Sequence, residues 1–189
     1  MSVVANVLCS RASWVAYDGR ASRSGKIVSE STDKAVMVNN SVCVGYTGYL
    51  ELAQLVVLNL REHVVGISDM KSDTVASAIE LLLPKLKAPE NVFSNFLVTG
   101  LNSNGFMASY TLGSNREICA HVPNSNELKI SVLRSNTNTV ELEPYVIKHV
   151  RESGFDSTSI TNALREYIRN VSQIDASVNA HCQIIELHR

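Results

Sequence analysis

The strongest constraint on the fold of this chain is that its strands and helices are predicted in separate blocks. Short β-type runs, bounded by Gly, Ser and Asn, predict two hairpins over residues 2–9, 13–18, 35–39 and 41–47. Apolar residues at helical spacing then predict two helices over residues 49–63 and 73–83. A second strand block is predicted over residues 92–99, 106–111, 117–122 and 128–133.

The pattern returns to helix after this second strand block. Pro144 fits the first turn of a helix over residues 145–152, and Asp156 or Ser157 can cap a further helix. A last strand is predicted over residues 178–187. Separate blocks are typical of layered α+β domains, whereas parallel α/β folds alternate strand and helix. We therefore predict a four-layer αββα sandwich, and we expect residues 1–189 to form one domain because no linker separates the halves.

Composition excludes several classes of function. The formal net charge of -1 argues against a nucleic-acid partner, and 45% hydrophobic residues are sufficient for a sizeable core. Residues 1–3 lead directly into a strand pattern and no apolar run has membrane-spanning length, so we expect no signal peptide and a cytoplasmic protein with no membrane contact. The five histidines lack metal-ligand spacing, and we read them as surface residues and expect no cofactor. The four scattered cysteines are predicted to be reduced core thiols.

Residues 14–22 (WVAYDGRAS) form an apolar strand that ends in an aspartate, followed by small, basic and small residues. This run resembles the second strand and turn of proteasome β subunits and HslV-type peptidases, which are N-terminal-nucleophile (Ntn) hydrolases. In that family the nucleophile precedes the aspartate by sixteen residues, a lysine follows the aspartate by sixteen, and an oxyanion glycine follows the lysine by fourteen. Here Ser2, Asp18, Lys34 and Gly48 have the same three spacings. Residues 47–54 and 96–105 also resemble the family's glycine turn and central strand.

The resemblance implies a hydrolase in which Ser2 becomes the first residue once Met1 is removed. A serine hydroxyl needs an adjacent base at neutral pH, and a free α-amine, with a pKa of about 7.7 to 8.0, can serve as one. Lys34 would then place a positive charge near the Ser2 hydroxyl, and Asp18 would hold Lys34. The N–H of Gly48 would face the developing oxyanion. Arg20 is expected to support this group.

Several positions depart from the family pattern. The nucleophile there is usually threonine. The expected Gly-Ser-Gly-Ser turn is RSNT at residues 134–137, where Ser135 keeps the hydroxyl that would bond the N-terminal amine. The aspartate and serine that assist the amine in β subunits fall on Ser177 and Ala180. We expect no side-chain metal site, although the carbonyl groups of Ile174, Ser177 and Ala180 are a candidate site for a cation.

The resemblance implies a peptide or amide substrate, a homo-oligomeric ring and an ATPase unfoldase as partner. Two other functions remain open at this point. The chain can be a non-catalytic ring subunit of the same architecture, as proteasome α-type chains are, although those chains carry an additional N-terminal helix. It can also be a small-molecule acylase, because one fold serves many substrates.

Overall fold

The computed structural model describes residues 2–23, 26–63, 66–86, 92–134 and 139–189. The strands are β1 (Val4–Leu8), β2 (Ala12–Asp18), β3 (Ala21–Arg23), β4 (Lys26–Ser29), β5 (Ala35–Asn39), β6 (Val42–Gly48), β7 (Ser94–Leu101), β8 (Met107–Gly113), β9 (Arg116–His121), β10 (Lys129–Leu133) and β11 (Cys182–His188). The helices are α1 (Leu50–His63), α2 (Ser72–Leu82), α3 (Glu143–Ser153) and α4 (Ser157–Ile174). A short 3-10 turn, Leu83–Lys85, follows α2.

Two antiparallel sheets form the centre of the fold. Sheet I has the strand order β10-β1-β2-β11, and sheet II has the order β5-β6-β7-β8-β9. Strands β3 and β4 form a separate two-stranded ribbon. The two predicted hairpins are present, because β1 pairs with β2 and β5 pairs with β6.

Three apolar clusters fill the spaces between four layers. One lies between the sheets and includes Val4, Leu8 and Leu97. A second joins sheet I to α3 and α4, and a third joins sheet II to α1 and α2. Strand β1 contributes alternate residues to two clusters, since side chains alternate across a strand, and all five of its residues are therefore buried. The layers run helix, sheet, sheet, helix, so the predicted αββα sandwich is confirmed.

The local helix signals also hold. Pro144 lies in the first turn of α3, and the Asp156 side chain caps α4 by accepting a hydrogen bond from the Ser159 N–H at 2.7 Å. No helix within the described segments combines the length and hydrophobicity that a bilayer crossing requires.

Three expectations need correction. The ribbon β3–β4 was not predicted, because it is short and β4 buries none of its residues fully. The last strand begins at Cys182 rather than at residue 178, since the Asp175 carboxylate accepts a hydrogen bond from the Ser177 N–H and holds a turn there. Cys9 and Cys43 are buried free thiols, but Cys119 is exposed on β9, so it is not a core residue.

Candidate active site

A buried ion pair lies where β2 ends. The Lys34 ammonium donates to both carboxylate oxygens of Asp18 at 2.8 Å, and the two side chains are 2% and 0% exposed. Lys34 is among the largest fully buried side chains of the residues that the structure describes. Desolvation of a charge is expensive unless it is paired and hydrogen-bonded, which accounts for the two short contacts.

The Asp18 carboxylate is held from the backbone as well. Its Oδ1 accepts a hydrogen bond from the Val3 N–H at 2.9 Å, and its Oδ2 accepts one from the Arg20 N–H at 3.0 Å. Burial lowers the pKa of Lys34, and the Asp18 carboxylate opposes that shift. The carboxylate therefore positions a desolvated cation while it also contacts the residue that follows Ser2.

Ser2 and Lys34 line the same cavity. Its volume is about 420 Å³, and its described lining residues are Ser2, Ala21, Ser22, Val28, Lys34, Tyr46, Thr47, Gly48, Tyr49, Leu50 and Glu51. The cavity lies between the start of β1, the β3–β4 ribbon and the beginning of α1. Its walls combine apolar and aromatic side chains with a few hydroxyl groups and two charged residues, Lys34 and Glu51, a combination typical of a site for a small organic group.

Gly48 forms the junction between β6 and α1. Its φ angle is +99°, and a Cβ atom at this position would lie 2.1 Å from the carbonyl oxygen of Phe93. The Tyr49 N–H donates to that same oxygen at 3.0 Å, and α1 begins one residue later. Glycine is therefore required here both by the backbone conformation and by the lack of space.

The structure thus brings Ser2, Asp18, Lys34 and Gly48 together. Arg20 is different: its backbone contacts Asp18, while its guanidinium forms an ion pair with Glu30 at 3.0 Å and donates to the Ala176 carbonyl at 2.6 Å. Ser135 lies outside the described residues.

The candidate cation site stays a prediction. The Ser177 hydroxyl and N–H both donate to the Asp175 carboxylate, at 2.5 and 2.9 Å, so the loop around Ser177 is ordered by its own side chains. Within the parts of the chain that the structure describes, no three His, Cys, Asp or Glu residues are grouped as metal ligands. The side chains of Ile174 and Ala180 contribute no donor atoms, and their carbonyl groups would be the ligands.

Sequence reasoning missed the walls of the cavity and one polar residue behind it. Val28 and Tyr46 line the cavity from β4 and β6, and Asn179 holds the turn that follows Asp18. No local pattern marks these positions, because each acquires its role from contacts with distant segments.

This arrangement can supply three chemical elements of acyl transfer. It has a hydroxyl on Ser2, a buried positive charge on Lys34, and a glycine whose backbone lines the same cavity. A positive charge in a desolvated site disfavours a second positive charge close by, and it therefore favours the neutral form of any amine placed there.

Comparison with solved structures places this architecture among known folds. The chain is similar to the crystal structure of eukaryotic HslV from Trypanosoma brucei, with a TM-score of 0.68 over 99% of both chains and 13% sequence identity. No protein-family model and no curated protein sequence matches the chain. Similarity at this identity concerns the fold alone, and the chain shares its four-layer αββα architecture with that structure.

Proposed function

We propose that this chain is an Ntn hydrolase that cleaves amide or peptide bonds, with Ser2 as its nucleophile after removal of Met1. The observation that carries this proposal is the position of Ser2 in the same cavity as the buried, Asp18-bound ammonium of Lys34. An isolated surface pair of lysine and aspartate would support no such function, but this pair is desolvated and its lysine lines the cavity that Ser2 also lines.

The proposed reaction begins with proton transfer from the Ser2 hydroxyl to the Ser2 α-amine. The oxygen attacks the substrate carbonyl carbon, and the Gly48 N–H donates a hydrogen bond to the oxyanion that forms. The protonated α-amine of Ser2 then gives its proton to the departing amine of the substrate. An ester between the Ser2 oxygen and the acyl group remains. Water, deprotonated by the same amine, hydrolyses this ester and restores the free hydroxyl.

Lys34 and Asp18 act on the protonation state of the N-terminal amine. A protonated Lys34 close to the amine lowers the pKa of that amine, so more of it is neutral at pH 7. Burial also lowers the pKa of Lys34 itself. As the pH rises, Lys34 therefore loses its charge, and with it its effect on the amine, at a pH below the ordinary pKa of lysine. Asp18 opposes that loss by stabilising the charged lysine.

The assembly and location follow from the same proposal. We propose one domain over residues 1–189 that forms a cytoplasmic homo-oligomeric ring and works with an ATPase unfoldase. Leu55 and Leu58 on α1 and Leu81 on α2 are large apolar side chains with 42%, 47% and 66% exposure, and contact with other subunits would cover them.

Two mass measurements test the catalytic proposal. The intact mass of the purified protein should correspond to a chain that begins with Ser2, and an epoxyketone, lactone or vinyl sulfone probe should add once, at Ser2. Ser2→Ala should prevent the addition and Ser2→Thr should retain it. Ser10→Ala is the matched control, because Ser10 follows the opposite end of β1. A chain that keeps Met1 and forms no adduct would refute the hydrolase and favour a non-catalytic ring subunit.

A further inference from the structure

A polar cluster behind the candidate active site joins three separate segments through Asn179. This side chain is buried, with 9% exposure. Its Oδ1 accepts a hydrogen bond from the Gly19 N–H at 3.0 Å, while its Nδ2 donates to the Glu30 carbonyl at 2.9 Å and to Glu30 Oε2 at 2.7 Å. Asn179 thus uses its acceptor and its donor group on two segments that lie about 150 residues earlier in the chain.

Arg20 completes the cluster from the other side. Its Nε donates to both Glu30 carboxylate oxygens at 3.1 Å, and its Nη1 donates to the Ala176 carbonyl at 2.6 Å. The hydrogen bonds from Arg20 and Asn179 lower the pKa of Glu30, so this carboxylate stays charged. The loop between α4 and β11 is therefore attached to the end of β2 and to the end of β4.

The contact between these segments is close at the backbone level. The Gly19 carbonyl accepts a hydrogen bond from the Thr32 N–H at 2.8 Å, and a Cβ on Gly19 would lie 2.5 Å from the Glu30 carbonyl oxygen. Gly19 directly follows Asp18, and Thr32 lies two residues before Lys34. The cluster consequently fixes the chain leaving Asp18 against the chain entering Lys34.

We propose that Asn179 is a positioning residue of the candidate active site, which holds the segments of Asp18 and Lys34 in the register that their ion pair requires. This inference rests on the proposed function for its kinetic consequence. Asn179 itself is not expected to touch the substrate, because the described lining of the cavity does not include it. It acts through the turn at Gly19 and Arg20, whose N–H group donates to Asp18.

The kinetic test uses two variants with the full chain. Asn179→Ala removes all three hydrogen bonds, and we expect kcat to fall about 10- to 100-fold with little change in KM, since small displacements of catalytic groups carry such costs. Asn179→Asp keeps the acceptor for Gly19 but places a carboxylate beside Glu30, and it should also lower kcat. The double variant Asn179→Asp with Glu30→Gln restores a donor between the two side chains but not the bond to the Glu30 carbonyl, and it should recover part of the lost kcat.

Asn102 provides the matched control. It is 5% exposed, and its Oδ1 accepts hydrogen bonds from the N–H groups of Asn104 and Phe106 in the turn between β7 and β8. That turn adjoins Leu101, whereas Gly48 pairs with the opposite end of β7. Asn102→Ala should lower the thermal midpoint without lowering kcat. An unchanged kcat in folded Asn179→Ala, or no recovery in the double variant, would overturn the positioning role.

A second readout does not depend on turnover. Amide hydrogen exchange should become faster at Val3 and Arg20, which donate to Asp18, in Asn179→Ala but not in Asn102→Ala. If the wild-type chain hydrolyses nothing, the proposed function fails while this exchange measurement still decides whether Asn179 orders the Asp18 turn. Unchanged exchange at both amides would reject the positioning role even in an active enzyme.

Discussion

The burial of Lys34 is not readily explained by a gain in the stability of the folded protein. A buried ion pair recovers through its geometry what desolvation costs, and apolar residues of similar volume often stabilise a protein as well or better. Asp18 nevertheless satisfies Lys34 with both oxygens while also accepting two backbone N–H groups. Such an expensive arrangement beside a cavity is typical of sites where charge has a chemical role.

Removal of one member of this pair should be more harmful than removal of both. Lys34→Met leaves the Asp18 carboxylate buried without its cation, and we expect a loss of roughly 3 to 5 kcal/mol in the free energy of unfolding. Adding Asp18→Asn should restore part of that loss, because the buried group is then neutral. Urea denaturation measures both variants.

Lys148 supplies the comparison for this experiment, since it pairs with Glu166 at 3.0 Å on the surface. Lys148→Met should leave the urea midpoint nearly unchanged, because exposed pairs contribute little. If Lys34→Met were as mild as Lys148→Met, water would be reaching Asp18 and the proposed desolvated site would be wrong.

The site residues differ in how far the sequence can predict them. Four residues could be selected because their spacing matches the family pattern: Ser2, Asp18, Lys34 and Gly48. In the structure, three of them line one pocket, and Asp18 pairs with Lys34. Asn179 could not be found this way, because its hydrogen bonds reach residues 149 and 160 positions away. A side chain whose partners are that distant has no local signature.

The secondary-structure elements were predicted best where burial imposes a simple pattern. Strands β1 and β2 are buried on both faces and are apolar except at Asn6, Ser13 and Asp18. Helix α4 has a clear apolar stripe and a capping aspartate. Ribbon β3–β4 and the start of β11 depend instead on pairing with other segments. The ribbon strands, of three and four residues, are too short to show a clear pattern, and the last strand was predicted four residues too early because its pairing with β2 begins only at Cys182.

The junction of β6 and α1 should not tolerate a side chain at Gly48. A Cβ atom there meets the Phe93 carbonyl oxygen at 2.1 Å, so Gly48→Ala must displace either the strand β7 edge or the start of α1. We expect it to reduce kcat at least about 100-fold, because the proposed oxyanion donor moves with the junction. Steady-state kinetics and thermal unfolding measure the two effects.

Gly105→Ala is the control for Gly48→Ala, because it introduces backbone strain without a steric clash of the new Cβ atom. Gly105 also has a positive φ, +76°, but no atom lies within 4 Å of the point that a Cβ would occupy there. Its substitution should cost about 1 to 2 kcal/mol and leave kcat unchanged. Equal kcat values for the two alanine variants would argue against a role of the Gly48 backbone in the reaction.

At the scale of the whole molecule, the space between the sheets connects the two helical layers. Leu97 on β7 is fully buried in the cluster that also contains Val4 and Leu8 of β1. Trp14 belongs to the cluster under α3 and α4, whereas α1 and α2 pack on the other sheet. If residues 1–189 form one domain, a defect between the sheets must weaken both helical layers together.

Leu97→Ala tests this coupling. We expect a loss of about 2 to 5 kcal/mol in the free energy of unfolding, because the truncation leaves a cavity between two sheets that cannot close fully. Trp14 fluorescence and far-UV circular dichroism should give one shared urea midpoint in the wild type and one shared, lower midpoint in the variant. Ile27→Ala, at a side chain that is 52% exposed, should change the free energy by less than about 0.5 kcal/mol. Trp14 fluorescence reports on the layer of α3 and α4, whereas circular dichroism reports on all four helices. The two signals share a midpoint only if the core between the sheets makes both layers unfold together, so two separate midpoints would show that the layers unfold independently.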